Sequence, residues 1–229
     1  MGRQTRRVAL IYDATLVYDL RVMEGVAEYL EASKGWNVCI EKNALKDQQL
    51  PDLAIWDGNG IIANLDHVDI AAAVSRSQLP AVGFGSGYGW YSPKLKLPYF
   101  FTNNASISIL AANHFLESDL RHFAFCGYPR NAINGWSRER EASFSNYLLS
   151  RGFEVFTFNE PWVETSHWAQ VQQSLTDWLR SLPKPIGLMG ANDKRARQVL
   201  EACRECGLRV PDEVAIIGVD DDQVPCNHS

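Results

Sequence analysis

Amides, carboxylates and a pair of arginines recur just past the ends of apolar runs in this chain. Asp13 follows Val8 to Tyr12, Asn64 and Asp66 follow Gly60 to Ala63, and Ser86 follows Ala81 to Phe84. Asn103 and Asn104 follow Tyr99 to Thr102, Asn192 and Asp193 follow Ile186 to Met189, and Asp220 to Asp222 follow Val214 to Val219. Arg138 and Arg140 come early in the helix expected after His122 to Cys126. Carboxylate and amide oxygens accept from hydroxyls, amide and guanidinium nitrogens donate, and one guanidinium bridges two oxygens. Such a set suits a polyhydroxylated ligand, with aromatic faces covering the C–H side of a sugar ring. An Asp or Asn after a strand often does no more than cap the next helix. The convergence of several is what carries the reading.

Turnover finds less support. The histidines, His67, His114, His122, His167 and His228, are scattered, and none stands in the His-Glu-x-x-His spacing of a zinc protease. No Gly-x-Ser-x-Gly elbow occurs. Cys203 and Cys206 form the one close cysteine pair, near a helix end rather than a helix start, and no second pair completes a zinc site. The glycine-rich run Gly83 to Gly89 is followed by Trp90-Tyr91-Ser92-Pro93, a poor helix start. A dinucleotide site needs a helix there to aim its N–H groups at the pyrophosphate. The run is read instead as a loop that brings Ser86, Tyr88, Trp90 or Tyr91 over a ligand. Nothing sets a nucleophile beside a matched base, so binding without catalysis is expected, with no cofactor and no metal.

The elements that must position these groups alternate strand and helix. Val22, Met23, Val26 and Leu30 share a helical face, and Trp168, Val171, Leu175, Trp178, Leu179 and Leu182 share another. Three helices end in a glycine followed by an apolar residue and a strand: Gly35-Trp36, Gly152-Phe153 and Gly207-Leu208. Repeated αβ joints build parallel sheets, whose ligand sites lie outside the carboxyl ends of the strands. Two groups of αβ units are expected, joined by a crossover near Phe101 to Asn104.

Bulk properties narrow the class. A net charge of -5 makes the chain as a whole a poor nucleic-acid binder. Arg3 to Arg7 read as a solvated basic tail. No run approaches the about 18 apolar residues of a membrane span, and the N-terminus lacks the apolar region of a secretion signal. The 5 cysteines then point to free thiols in a reducing compartment, and the cytoplasm is the expected location.

With these residues in place, the chain resembles the effector domains of LacI/GalR-type transcriptional regulators. The resemblance rests on Gly190-Ala191-Asn192-Asp193 through Val210-Pro211 to Gly218-Val219-Asp220-Asp221, and on Asn103-Asn104 with the helix and strand after it. Ser143 stands where a glycine is common in the family. Tyr18-Asp19-x-x-Val22-x-Glu24-Gly25-Val26, Asp57-Gly58-x-Gly60 and Gly135-Trp136-Ser137-x-Glu139-Arg140-Glu141 are similar to the xylose operon regulators within that class.

The resemblance implies an α/β, two-lobed, type I periplasmic-binding-protein-like fold, each lobe a parallel sheet flanked by helices. It divides the chain into lobes at 7–103 and 104–229, and implies that the family's C-terminal return helix and strand are missing after Ser229. It implies a sugar, a pentose such as xylose, bound between the lobes by Asp13, Asn103, Arg140, Asn192 and Asp220. Tyr12, Tyr18, Tyr88, Trp90 and Trp136 are the aromatic candidates for the ring face. A homodimer is implied, with operator DNA reached only through an AraC-type domain absent from these residues. A solute-binding protein for a sugar transporter shares the fold, and the lack of a secretion signal weighs against it.

Overall fold

The computed structural model describes residues 6–33, 35–42, 53, 55–86, 97–130, 134–159 and 168–222. The chain divides into two compact units, Met1–Thr102 and Asn103–Ser229.

In the first unit, strand β1 (Arg6–Tyr12) leads into helix α1 (Val17–Ala32) and strand β2 (Trp36–Lys42). Strand β3 (Gly60–Asn64), helix α2 (Val68–Ser77), β4 (Ala81–Gly85) and β5 (Tyr99–Phe101) follow. The sheet order is β2-β1-β3-β4-β5, with every pair parallel. Alternation along the strands sends Ala9, Ile11, Ile61 and Ala63 to one face, where they meet Ile70, Ala71 and Val74 of α2.

The second unit runs α3 (Asn104–Glu117), β6 (Phe123–Cys126), α4 (Gly135–Leu149), β7 (Val155–Phe158), α5 (Trp168–Ser181), β8 (Ile186–Gly190), α6 (Asp193–Glu205) and β9 (Val214–Ile217). Its parallel sheet has the order β7-β6-β8-β9. Strand β6 is buried on both faces. Ala124 and Cys126 pack toward α5 and α6 with Leu175, Leu179, Val199 and Cys203, whereas Phe123 and Phe125 pack toward α3 and α4 with Phe115, Phe144 and Leu148. A parallel sheet covered on both faces explains why these strands read as unbroken apolar runs. Phe144 is fully buried between the Phe115 and Phe125 rings, at centroid distances of 6.4 and 6.2 Å. Phe144→Ala is expected to cost about 3–5 kcal/mol of stability in urea unfolding, because the rings around it cannot close the cavity.

The three helix–glycine joints form as the local pattern dictates. Gly35, Gly152 and Gly207 have φ of 102°, 85° and 72°, the left-handed region open to glycine. After the first joint the Trp36 ring packs edge-on against Tyr29 at 5.8 Å. Along α5, Val171, Leu175 and Leu179 are buried, and Trp178 lies against Phe158 at 5.1 Å, as core and not as a ligand platform. Cys203 is likewise core: burial pushes its thiol up to about 12.

One element ends earlier than the apolar pattern suggests. The run from Val214 continues to Val219, yet pairing stops at Ile217. The Val219 carbonyl instead accepts from the Asp193 backbone N–H at 2.9 Å, and Asp220 and Asp221 turn into left-handed conformations at φ 104° and 52°.

Candidate functional site

A doubly wound sheet opens a crevice where the strand order reverses. In the first unit that point lies between β1 and β3, and in the second between β6 and β8. Each unit carries a polar cluster there.

In the first unit the groups form one hydrogen-bonded series. Asp13 follows β1, and its carboxylate caps the turn into α1 by accepting from the Thr15 backbone N–H and hydroxyl at 2.8 and 2.7 Å. The backbone N–H of Asp13 donates to Asp19 Oδ2 at 2.8 Å. Asn64, at the end of β3, donates from Nδ2 to Asp19 Oδ1 at 2.8 Å, and its Oδ1 accepts from the Asp66 N–H at 2.8 Å. The Asp66 carboxylate in turn takes the Ser86 N–H at 3.0 and 2.9 Å and the Tyr99 hydroxyl at 3.4 Å. Asp13, Asn64, Asp66 and Ser86, all expected from their positions after strands, are thus brought together. Asp19, completely buried, is the residue that joins them. Burial pushes its carboxyl up to about 6 despite the two donors, and burial also raises Asp66. The half-buried Tyr18 packs on Phe84 at 6.3 Å, and burial raises its phenol. Tyr12 closes β1 beside Asp13 and is half-buried.

Asn64→Ala would leave the Asp66 N–H without its acceptor and Asp19 with one donor fewer. The expected loss is about 2–3 kcal/mol in urea unfolding at pH 7.5. It should shrink at pH 5, because a carboxyl raised further is unfavourable only once it ionises.

In the second unit Arg140 is the hub. It lies in the second turn of α4, and its side chain is 7% exposed. Its Nε donates to Asn104 Oδ1 at 2.9 Å and its Nη1 to the Ala191 carbonyl at 2.5 Å, while Nη2 faces Asp220 Oδ1 at 3.9 Å. Asn104 is held in turn by donating to Glu139 Oε2 at 2.7 Å. The Trp136 ring lies against the guanidinium, 4.9 Å from centroid to Cζ. Burial lowers the pKa of Arg140, opposed by Asp220, Asp193 and Glu139. Burial also lifts Asp220 to about 6; Arg140 pulls it down, and Asp193 and Asp222 push it up.

Asp220 is aimed by the turn around it. The Asp193 carboxylate, at the start of α6, accepts from the Asp222 N–H at 2.7 Å. Gly218 permits this closure, since a Cβ there would stand 2.0 Å from Asp193 Oδ1. Asn192 caps α6 through the Arg195 N–H at 3.1 Å, and the same Oδ1 accepts the Tyr128 hydroxyl at 3.1 Å.

The expected residues therefore sort as follows. Arg140 and Asp220 meet, and Asn192 joins the same unit's cluster through Tyr128. Asn103 is exposed and caps α3 by accepting from the Ser106 N–H at 3.0 Å, while its neighbour Asn104 is the buried amide against Arg140. Trp136 is half-buried, with its ring engaged by Arg140 and by Tyr128. Tyr88 and Trp90 lie outside the described residues. Asp19, Glu139, Tyr128 and Arg195 were not anticipated as site residues, although Tyr128 carried a signal: it lies two residues past the end of β6, at the reversal point. A cavity of about 770 Å³ opens at the other end of the first sheet, lined by Arg6, Val8, Trp36, Gly60 and Pro80. Its walls are mainly apolar strand starts, and it shares none of this polar chemistry. Among the described residues no cluster could hold a metal ion, and no helix is long and apolar enough to cross a membrane.

Residues 112–229, more than half of the chain, match the family described as the periplasmic binding protein-like domain. The chain belongs to that family. Residues 7–105 match a second description, the XylR N-terminal domain. Among curated proteins the chain is 30% identical over 225 residues to the xylose operon regulatory protein of Escherichia coli K12, covering 98% of this chain and 57% of the relative. It thus spans little more than half the length of that relative. The solved structure described as the xylose-binding transcription activator xylR superimposes with a TM-score of 0.81 at 30% identity, covering 97% of this chain and 56% of that one. A periplasmic binding protein/LacI regulator from Alkaliphilus metalliredigens, complexed with D-xylulofuranose, aligns at a TM-score of 0.67 and 18% identity, over 93% and 77% of the two chains, and speaks to the fold alone. Two parallel sheets flanked by helices are the architecture of this periplasmic binding protein-like family, as the sequence resemblance implied.

Proposed function

We propose that this chain is the sugar-sensing part of a transcriptional regulator, with a pentose, first of all xylose, as its ligand. The observation that carries the reading is the Arg140 cluster. A buried guanidinium is anchored at Asn104 and Ala191 and faces the Asp220 carboxylate at 3.9 Å, wider than a direct hydrogen bond. A sugar hydroxyl would accept from the one and donate to the other. Asn192 adds an amide from the same unit, and Asp13 is kept as a further candidate ligand carboxylate. The xylose-binding activator at 30% identity supports the choice of pentose. Among the described residues no nucleophile–base pair stands at either cluster, which favours sensing over turnover.

A ligand transmits a signal only if it binds one state of the protein better than another. The regulator is proposed to work as a homodimer in the cytoplasm, with operator DNA bound by a separate helix-turn-helix domain.

Thermal unfolding with a sugar panel tests the reading. Xylose at about 100 times its dissociation constant should stabilise the chain by about 2.7 kcal/mol, a rise of about 5–10 °C in the midpoint. A midpoint unmoved by every pentose and hexose at millimolar concentration would refute it.

A further inference from the structure

Three ring contacts link four side chains of the second unit in series. The Cζ of Arg195 lies 4.8 Å from the centroid of the Tyr128 ring. The Tyr128 and Trp136 rings are 5.5 Å apart and tilted by 58°. The Cζ of Arg140 lies 4.9 Å from the Trp136 centroid. A cation thus closes each end of a pair of aromatic rings.

The ends differ in kind. Arg140 faces Asp220 at the candidate site. Arg195 is the largest fully buried side chain among the described residues, with no exposed surface, and its Nη1 donates to Gln198 Oε1 at 2.5 Å. Burying a guanidinium costs several kcal/mol unless polar groups and ring faces answer it. Here the answering face belongs to Tyr128, so the cation fixes the plane of that ring. Tyr128 then acts in two directions. Its ring edges against Trp136, the surface on which the Arg140 guanidinium lies, and its hydroxyl donates to Asn192 Oδ1 at 3.1 Å. The two side chains offered to a ligand are thereby set by one phenol. Both of its supports sit on rigid elements, since Arg195 lies in the first turn of α6 and Trp136 in the first turn of α4.

We propose that Tyr128, backed by the buried Arg195 guanidinium, is a positioning residue that fixes Arg140 and Asn192 relative to one another. What the site binds rests on the sugar-sensing reading; the positioning itself does not.

The 229-residue chain and its variants Tyr128→Phe, Tyr128→Ala, Arg195→Met and Arg195→Lys separate the two ideas. Xylose affinity is read by calorimetry, and the Arg140 Nε–H resonance by nitrogen-15 NMR without ligand. Tyr128→Phe keeps the ring and should weaken xylose about 3–10-fold through the lost hydroxyl. Tyr128→Ala and Arg195→Met should weaken it by about 30-fold or more and move the Arg140 resonance, with Arg195→Lys falling between Met and the unaltered chain. Circular dichroism identifies any variant that fails to fold, in which case Tyr128→Phe decides: affinity falls while the thermal midpoint holds. Tyr128→Ala and Arg195→Met that leave both the Arg140 resonance and the affinity unchanged would overturn the proposal. If the unaltered chain binds no pentose, the functional reading falls and the Arg140 resonance alone decides the positioning.

Discussion

Arg140→Met is expected to abolish the proposed pentose binding and to lower the stability of the second unit together. The methionine fills most of the volume of the arginine stem, so the effect isolates the guanidinium. Three groups lose their partner at once: Asn104 Oδ1, the Ala191 carbonyl and the Asp220 carboxylate. Each buried acceptor left unpaired costs about 1–3 kcal/mol. Asp220, still beside Asp193 and Asp222, is pushed above the value of about 6 that Arg140 now restrains, so the damage is greatest where that carboxyl ionises. For the ligand, two charge-assisted donors are gone, and the dissociation constant should rise by about 100-fold or more. Arg140→Lys is no rescue. A single ammonium cannot replace a planar fork that donates to both Asn104 and Ala191 and also lies over the Trp136 ring. Titration calorimetry checks both variants, and binding by Arg140→Met within about threefold of the unaltered chain would remove Arg140 from the proposed site.

What could be seen in advance follows the range of the forces involved. The αβ repeat was visible because its signals are local: helical periodicity in Val171, Leu175 and Leu179, a glycine at each helix end, and unbroken apolar strands. Arg140 and Asp220 were visible as polar residues placed just past strands or early in a helix. The choice between Asn103 and Asn104 was not. One residue of helix register decides it, and the capping bond of Asn103 turns Asn104 inward toward Arg140. Asp19 was hidden for a different reason. A carboxylate one turn into an amphipathic helix ordinarily faces water, and nothing within α1 says that Asn64, 45 residues away, will donate to it. Trp136 entered as an aromatic candidate for the ring face through the family resemblance, and nothing local foretold that its ring would meet Tyr128 and the Arg140 guanidinium. The early end of β9 depends on the tether between Asp193 and Val219, a contact that strand propensity does not encode.

Asp220→Asn should make the chain more stable at neutral pH while it weakens the ligand site. Burial holds the Asp220 carboxyl at about 6 against 3.8 in the unfolded chain. A raised carboxyl favours the neutral acid in the fold. Its favourable contribution is therefore fully present below the unfolded value and lost as pH rises through the folded one. Between about pH 4 and 6 the native protein gives up that advantage, and above about pH 6.5 it carries the whole ionisation cost, at most about 3 kcal/mol. An amide never ionises, so the variant escapes the loss. Asparagine also tolerates the backbone at this position, where φ is 104°. The difference in stability between variant and unaltered chain should be near zero at pH 4, grow through pH 6 and level off above it, measured by urea unfolding across that range. The variant nevertheless keeps only one acceptor oxygen and no charge opposite Arg140, so xylose should bind about 10–100-fold more weakly at pH 7.5. An Asp220→Asn chain less stable than its parent at pH 7.5 would show that the pairing with Arg140 outweighs burial. The carboxylate would then be a structural ion pair and not a group held ready for a ligand.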